Sequence, residues 1–217
     1  MQKIIDLVKA ARKLYSDNII IMVGNIANPK TYENLARAGV DYVRCGIGSG
    51  CGCLSTSNTG IHMPMATLIS DIAKLKEEIK DDYRNLPYIV ADGGIRNYSD
   101  AIKALALGAD YVMVGSVFAK MLESAAPKEV NEEGTFATFY GMASREGQIA
   151  LSGAKTKTSE GLKKTLRVEY TMEGWTKNFI DYLRSAMSYV GAETLDAFRV
   201  LATVIINSPN AVNAVNK

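Results

Sequence analysis

The stretch from residue 46 to residue 56, GIGSGCGCLST, combines closely spaced glycines with a thiol and two hydroxyls. Gly46, Gly48 and Gly50 follow directly after the short apolar segment DYVRC. Glycines at this density allow positive φ angles and bring backbone N–H groups close to a ligand. A strand that ends in such a loop forms a nest of amides, and nests bind anions such as phosphate. The loop therefore predicts an anion-binding site.

Cys53 lies at the far edge of this loop, two residues before Ser55. A thiol beside hydroxyls on a glycine loop has the setting of a nucleophile near a bound nucleotide. The alternative is a small buried hydrophobe, the role expected of Cys45, while Cys51 could take either role. A zinc site that combines the three cysteines with His62 is a further alternative, although the spacing matches no usual zinc motif.

Two further segments place polar groups after apolar runs. Asp92 begins DGG (92–94) at the carboxyl end of a predicted strand, where ligands bind in α/β proteins. There it could accept hydrogen bonds from two ribose hydroxyls, or alternatively cap a helix or a turn. Gly94, Gly115 and Ser116 offer backbone amides, and the last two precede a predicted helix, so we expect a phosphate there.

Glu160 lies in the sequence TSEG, within a region from about 124 to 169 where the periodic pattern fades. A region of this length inside a compact chain is either functional or disordered. Glu160 could be one solvated charge among several lysines, or an acid that a mobile lid brings over the ligand. Both interpretations stay open. The neighbouring lysines are Lys155, Lys157, Lys163 and Lys164.

Apolar and amphipathic segments alternate along the first 122 residues. We predict helices over 3–15, 29–38, 65–80, 98–107 and 116–122, and strands over 19–24, 41–45, 88–91 and 110–115. Strands that are apolar on both faces suit a parallel sheet covered by helices, so the order predicts an α/β fold. Further helices are expected at about 173–188 and 192–200.

An internal repeat links two of these units. Residues 31–46 and 100–115 align without gaps and share Gly-x-Asp-Tyr-Val and a closing glycine. Repeated helix–glycine–strand–glycine units are typical of a (β/α) barrel with its ligand loops on one face. A doubly wound open sheet could produce the same repeat, so the repeat leaves barrel closure open.

Composition limits the class of partner and compartment. The 217 residues carry a net charge of +2 and are 47% apolar, which argues against nucleic acid or an anionic membrane as partner. The first 15 residues alternate charge and apolar residues, so they predict neither a signal peptide nor a membrane span. Three cysteines without a targeting segment are expected of a cytoplasmic protein.

Seven motifs occur in an order that resembles the IMP dehydrogenase and GMP reductase family. The resemblance runs from the first helix to about Phe198. It implies a (β/α)8 TIM-barrel fold, of which residues 1–217 form a single partial domain: the C-terminal half, about four βα units, with a flap at about 124–169. The motifs are GN (24–25), GIGSGxxC (46–53), DGG (92–94), MVGS (113–116), FYGMAS (139–144), SEG (159–161) and LRSAMSYVGA (183–192).

The resemblance also implies a role for each matching position. Cys53 corresponds to the cysteine that attacks C2 of the purine, and Ser55 and Glu160 would move the proton. Nicotinamide cofactor contacts correspond to Thr59, Gly60 and Ser159. The carbonyls of Gly48, Gly50 and Cys53 correspond to those that hold a monovalent cation, potassium. Substrate contacts correspond to Cys51, Asp92, Gly94, Gly115, Ser116, Tyr140, Met142, Ala143, Lys157 and Ser159.

FYGM, SEG and the pair Thr59–Gly60 resemble the GMP reductase branch. This branch implies NADPH-dependent reductive deamination of GMP to IMP through a covalent Cys53 thioimidate. One alternative is the IMP dehydrogenase reaction, the NAD-dependent oxidation of IMP to XMP. The other is a guanylate-binding module without catalysis.

Four positions depart from the family pattern: Cys51 and Ser55 replace a serine and a threonine, Met65 a glutamine, and Lys157 an arginine. They leave a deoxy or modified guanylate open as substrate. A closed barrel has eight strands in about 250 residues, whereas four are predicted here. We therefore expect a fragment, half of a split enzyme, or a chain completed by association, as a homotetramer or with an N-terminal half-barrel. Alone, it should show weak or no turnover.

Overall fold

The structure is a computed structural model that describes residues 1–50, 53–154 and 157–208. Four strands form a parallel sheet in the order β1-β2-β3-β4, and helices precede and follow them along the chain. This confirms the predicted α/β fold with parallel strands. The strands are β1 (Met22–Ile26), β2 (Tyr42–Cys45), β3 (Tyr88–Asp92) and β4 (Tyr111–Met113).

The sheet is open: within the described residues, β1 pairs only with β2, and β4 only with β3. No closed barrel is therefore formed by this part of the chain. The order of four parallel strands joined through helices is consistent with a partial TIM-barrel-type fold.

Local signals explain where the helices begin and end. The Asn28 side chain accepts a hydrogen bond from the Thr31 amide at 2.8 Å, Pro29 occupies the first turn, and Gly39 ends the helix with a φ of 87°. No helix of the described ranges is long and apolar enough to cross a membrane. The helices are α1 (Gln2–Tyr15), α2 (Pro29–Ala38), α3 (Ser55–Thr59), α4 (Met65–Glu78), α5 (Tyr98–Ala106), α6 (Ser116–Ala119), α7 (Arg145–Ser152), α8 (Met172–Tyr189) and α9 (Leu195–Leu201).

The core lies between the helices and one face of the parallel sheet. Val43 and Cys45 of β2 and Ile89 of β3 are fully buried there, against Leu35 of α2 and Leu68 of α4. This burial on the helix side is what the apolar strand segments predicted.

The opposite face of the sheet is uncovered at its amino end. Tyr42, Tyr88 and Tyr111 form an aromatic cluster with ring centroids 5.2 to 5.6 Å apart. Tyr88 and Tyr111 remain 47% and 48% exposed. Within the described residues, the expected cover of helices therefore lies on one face of the parallel sheet only.

Several element boundaries differ from the predictions for a physical reason. The first strand begins at Met22 rather than residue 19, because Arg12 donates to the Ile19 carbonyl at 2.8 Å and Asp41 accepts from the Ile21 amide at 2.6 Å. These hydrogen bonds engage backbone groups that would otherwise pair with a neighbouring strand. Similarly, α6 ends at Ala119 rather than residue 122, since the Leu122 amide donates to the Tyr170 carbonyl at 2.9 Å. The strand predicted over 110–115 is shortened to β4, and the helix predicted at about 192–200 is shortened to α9.

The region from 124 to 169 contains an antiparallel sheet. Its three strands are β5 (Lys128–Asn131), β6 (Gly134–Tyr140) and β7 (Lys163–Arg167), and α7 connects β6 to β7. β7, written KKTLR, alternates exposed and half-buried residues. The predicted flap spans about 124–169; from here on the name is used only for the segment from 141 to 162, between β6 and β7, which is described except at residues 155 and 156. The described residues of this region thus form three strands and a helix.

The buried thiol of Cys45 makes stability depend on pH. Burial, and secondarily the charge of Asp92, raises the pKa of this thiol to about 12. The unfolded chain ionises its thiols near pH 8.5. The stabilisation that the buried, neutral Cys45 thiol contributes is therefore complete below about pH 8.5 and is lost as the pH rises toward 12.

We predict that, between pH 7 and pH 10, the free energy of unfolding falls by about 1 to 2 kcal/mol more in the wild type than in Cys45→Ala, as measured by urea unfolding. The alanine variant is less stable throughout because of its cavity, but its pH slope is shallower. Parallel slopes for the two proteins would contradict the assignment.

Candidate functional site

A cleft of about 580 Å³ opens at the carboxyl ends of β2, β3 and β4. Its walls come from the glycine loop after β2, the DGG turn, the Gly115–Ser116 turn and the residues after β6. The structure thus brings together ten of the predicted site residues. They are Gly50, Cys53, Asp92, Gly94, Gly115, Ser116, Tyr140, Met142, Ala143 and Glu160.

The glycine loop lies directly on the DGG turn. A Cβ atom on Gly46 would lie 2.3 Å from the carbonyl oxygen of Asp92, and one on Gly93 would lie 2.6 Å from Ser49 Oγ. Gly48, with a φ of +79°, would bring its Cβ within 1.6 Å of Thr56 Oγ1. Side chains at these positions would push the loop off the turn, so glycine is required for close approach as well as for φ.

Cys53 is a free thiol that is only partly buried, and it lines the cleft. Its amide donates to the Gly50 carbonyl at 3.1 Å, and its backbone forms an antiparallel bridge with Gly161 of the flap. The alternative of a buried hydrophobe is wrong for Cys53, whereas Cys45 has 0% exposure as expected.

The zinc alternative finds no support. Among the described residues, no group of three or more histidine, cysteine, aspartate or glutamate side chains could hold a metal ion. Cys51, which that alternative and the phosphate site both used, lies outside the described residues.

Glu160 joins the flap to the segment that carries the thiol. The hydroxyl of Ser55 donates to Glu160 Oε2 at 2.8 Å, and the Leu54 amide donates to the Glu160 carbonyl at 2.7 Å. The Glu160 amide in turn donates to the Ala143 carbonyl at 3.0 Å. Glu160 is exposed, yet these contacts hold its carboxylate at the wall of the cleft. A hydroxyl and a carboxylate in contact can relay a proton.

Asp92 is held by two side chains that the sequence analysis missed. Asn25 Nδ2 and Arg44 Nη2 each donate to Asp92 Oδ2 at 2.7 Å. The helix-cap alternative for Asp92 is wrong, because Asn97 caps α5 by accepting from the Asp100 amide at 2.9 Å.

The sequence contained a signal for Arg44. Side chains alternate across a strand, so Arg44 shares the uncovered face with Tyr42 and points toward the carboxyl end. Arg44 Nε is buried without a hydrogen-bond partner among the described residues. A buried donor left in this way marks a place where a ligand or water can supply an acceptor.

The end of the cleft where a phosphate is predicted offers amides rather than a long helix. Gly115 and Ser116 precede α6, which has only four residues, so the expected helix-dipole contribution is small. Arg96, which the sequence analysis also missed, lines the same wall and pairs with Asp100 at 3.0 Å.

Five predicted binding residues lie outside the described walls of this cleft. The Lys157 amide donates to Gln148 Oε1 at 2.8 Å, and Ser159 Oγ donates to the Gly161 carbonyl at 2.9 Å. Thr59 Oγ1 donates to the Ser55 carbonyl at 2.6 Å, and Gly60 ends α3. Gly48 lines a neighbouring cavity of about 270 Å³ together with Gly50 and Cys53.

The fit of Gly48 against Thr56 gives a matched test of the loop. Gly48→Ala places a methyl group in a left-handed conformation and into Thr56, whereas Gly191→Ala meets the same backbone strain, at a φ of +71°, with nothing within 4 Å. We expect Gly191→Ala to lower the free energy of unfolding by about 1 to 2 kcal/mol, and Gly48→Ala to lower it by at least about 1 kcal/mol more. Urea unfolding of both variants measures this difference; equal losses would mean that the loop does not require the contact.

Comparisons with known proteins agree on one family. Residues 1–215 match the family model described as the IMP dehydrogenase / GMP reductase domain. An inosine-5′-monophosphate dehydrogenase of Chlorobaculum parvum is 32% identical over 210 residues, which cover 91% of this chain and 41% of that protein. GMP reductase 2 of Bos taurus is 31% identical over 192 residues, covering 87% and 53%.

A GMP reductase of Caenorhabditis elegans is 28% identical over 206 residues, covering 94% of this chain and 56% of that protein. The chain thus spans about 40% to 56% of the length of these three relatives. The relatives carry both activity names, so they do not separate the two branches. The chain belongs to the IMP dehydrogenase / GMP reductase family.

Proposed function

We propose that this chain carries the nucleotide site of a GMP reductase-type oxidoreductase, which converts GMP to IMP by reductive deamination. One observation carries the proposal: the free thiol of Cys53 lines a nucleotide-sized cleft beside the Ser55–Glu160 hydrogen bond of 2.8 Å. A nucleophile next to a hydroxyl–carboxylate pair is suited to substitution at an electrophilic ring carbon.

The walls of the cleft suggest how GMP would bind. Asp92 would accept the ribose hydroxyls, and backbone groups of Met142 and Ala143 would meet the base. The phosphate would contact Gly94, Gly115, Ser116 and Tyr140. Cys51, Lys157 and Ser159 would complete the substrate contacts that the resemblance implies.

The first chemical step needs only the chain and GMP. Cys53 Sγ attacks C2, a carbon–sulfur bond forms, the C2–N bond breaks, and the 2-amino group leaves as ammonia. The thiol proton passes to the leaving nitrogen through Ser55 and Glu160, which raises the leaving-group ability of the amine. The product is a thioimidate on Cys53.

The second step needs a reductant, which we propose to be NADPH. When bound, NADPH would supply a hydride for C2, and Cys53 would leave C2 as the thiolate when IMP is released. Thr59, Gly60 and Ser159 would contact this cofactor. They offer two hydroxyls and an exposed turn, so their types are compatible with a polar ligand.

A monovalent cation, potassium, would be held by the carbonyl oxygens of Gly48, Gly50 and Cys53. These three residues line the cavity of about 270 Å³ beside the cleft. Carbonyl oxygens are ligands that hard cations prefer. Bound there, the cation would fix the backbone next to the thiol.

Completion of the site is part of the same proposal. The tyrosine face and the outer edges of β1 and β4, which are unpaired within the described residues, suit a complementing N-terminal half-barrel; a homotetramer is the alternative. Residues 1–217 would then form one partial barrel domain of a cytoplasmic enzyme. Weak or no turnover by the chain alone stays a prediction.

IMP dehydrogenase is the second candidate, because relatives of 32% identity carry that name. It would oxidise IMP to XMP with NAD through the same thiol. A guanylate-binding module would bind the nucleotide without using Cys53, and a deoxy or modified guanylate stays open as substrate.

Intact-mass measurement of the purified chain after incubation with GMP tests the proposal. We predict a mass increase equal to GMP less ammonia, with release of one ammonia per adduct and no requirement for a nicotinamide. Cys53→Ala should abolish the adduct. An adduct that forms only with IMP and NAD would favour the dehydrogenase, and binding without an adduct would favour the module.

Glu160→Gln should slow ammonia release by about 10²-fold or more, because the amide cannot accept the proton. Glu146→Gln, on the neighbouring helix α7, is the matched control and should leave the rate unchanged. A stopped assay of ammonia, with the protein in excess over GMP, measures the rate of release in a single turnover. If both variants behave alike, Glu160 has no part in proton transfer.

A further inference from the structure

We propose that Asn25 is a positioning residue that aims one oxygen of Asp92 at the ribose and fixes the glycine loop to it. The inference rests on the proposed function, since it assumes that a nucleotide ribose meets Asp92. It adds a role for a residue whose side chain is remote in sequence from every other site residue.

Asn25 connects three neighbouring strands. It lies in β1, Asp92 ends β3, and Gly46 follows β2 directly. Asn25 Nδ2 donates to Asp92 Oδ2 at 2.7 Å and to the Gly46 carbonyl at 2.8 Å. Both neighbours are acceptors, so the amide must present its nitrogen to them, and both of its hydrogens are used.

The hydrogen bonds from Asn25 and Arg44 both reach the same carboxylate oxygen of Asp92. Oδ2 receives both Asn25 and Arg44, each at 2.7 Å. A carboxylate has about four acceptor positions, so two are filled on Oδ2. The two positions on Oδ1 match the two hydroxyls of a ribose. Asn25 therefore selects which oxygen faces the ligand.

Asn25 and Arg44 act differently on the same atom. Arg44 supplies a positive charge, which forms an ion pair with the Asp92 carboxylate. Asn25 is neutral, so its contribution is geometric. Gly24 leaves room for the ion pair, since a Cβ there would lie 2.5 Å from Arg44 Cβ.

The bond to Gly46 gives Asn25 a second effect. Gly46 is the first residue of the loop that carries Cys53, and it lies against the Asp92 carbonyl. Asn25 thus holds the ribose-binding carboxylate and the start of the nucleophile loop at one fixed separation. A nucleotide anchored through its ribose would then meet the thiol in a defined position.

Two ligands separate positioning from general stability. All proteins carry Cys53→Ala, so that binding is measured without chemistry, and calorimetry gives dissociation constants for GMP and for 2′,3′-dideoxyguanosine 5′-monophosphate. We expect Asn25→Ala to weaken GMP binding about tenfold, the loss of roughly one charged hydrogen bond. Binding of the dideoxy compound should change less than about twofold.

Two further variants check the mechanism. Asn25→Asp keeps the shape but replaces both donors with acceptors, so it should weaken GMP binding more than the alanine does. In an Asp92→Ala background, Asn25→Ala should have no further effect on GMP, because the residue acts through that carboxylate. An independent effect there would overturn the proposal.

Asn28→Ala is the matched control. Asn28 lies three residues further along and caps α2, so its loss lowers the melting temperature without a contact to Asp92. It should leave the ratio of the two dissociation constants unchanged. If Asn25→Ala weakens both ligands equally, or neither, the positioning role is wrong. If the parent protein binds neither ligand, the proposed function fails, and the positioning role fails with it.

Discussion

The close approach of the loop after β2 to the turn after β3 is the contact on which the rest of the site depends. Gly46 and Gly93 place backbone against Asp92 and Ser49 at distances that leave no room for a Cβ atom. This contact sets the height of the loop above the sheet. It therefore sets where the Cys53 thiol, the loop amides and the Asp92 carboxylate stand relative to one another.

The flap adds the acid from a distant part of the chain. Glu160 is 105 residues from Ser55 in sequence, yet they meet because the backbone around Leu54 pairs with the flap. The buried hydroxyl of Ser144 accepts the Gly147 amide at 3.0 Å and begins α7. The flap thus contains a capped helix, and main-chain contacts at Cys53 and Leu54 join it to the segment after the glycine loop.

Much of this arrangement follows from short-range patterns. The apolar runs around Val43 and Ile89 predict strands because those side chains are buried against helices. The glycine loop, the DGG turn and the Ser116 turn could be placed together because parallel strands end at one edge. The flap strands escaped prediction because charged and small residues hide their alternation, as in KKTLR.

Asn25, Arg12 and Asp41 depend on contacts that no local pattern contains. Asn25 reaches Asp92, 67 residues away, at an irregularity where the β1–β2 register shifts between Gly24 and Ile26. Arg12 and Asp41 shorten β1 from outside the strand itself. Such interactions depend on three-dimensional placement, so the sequence offered only the residue types.

The bonds from Leu54 and Ser55 to Glu160 join the flap to the segment that follows Cys53. The Ser55 hydroxyl and the Glu160 carboxylate come from segments 105 residues apart, so their contact depends on the tertiary packing of the flap. A substitution that shifts the flap backbone would therefore alter this hydrogen bond without replacing either residue.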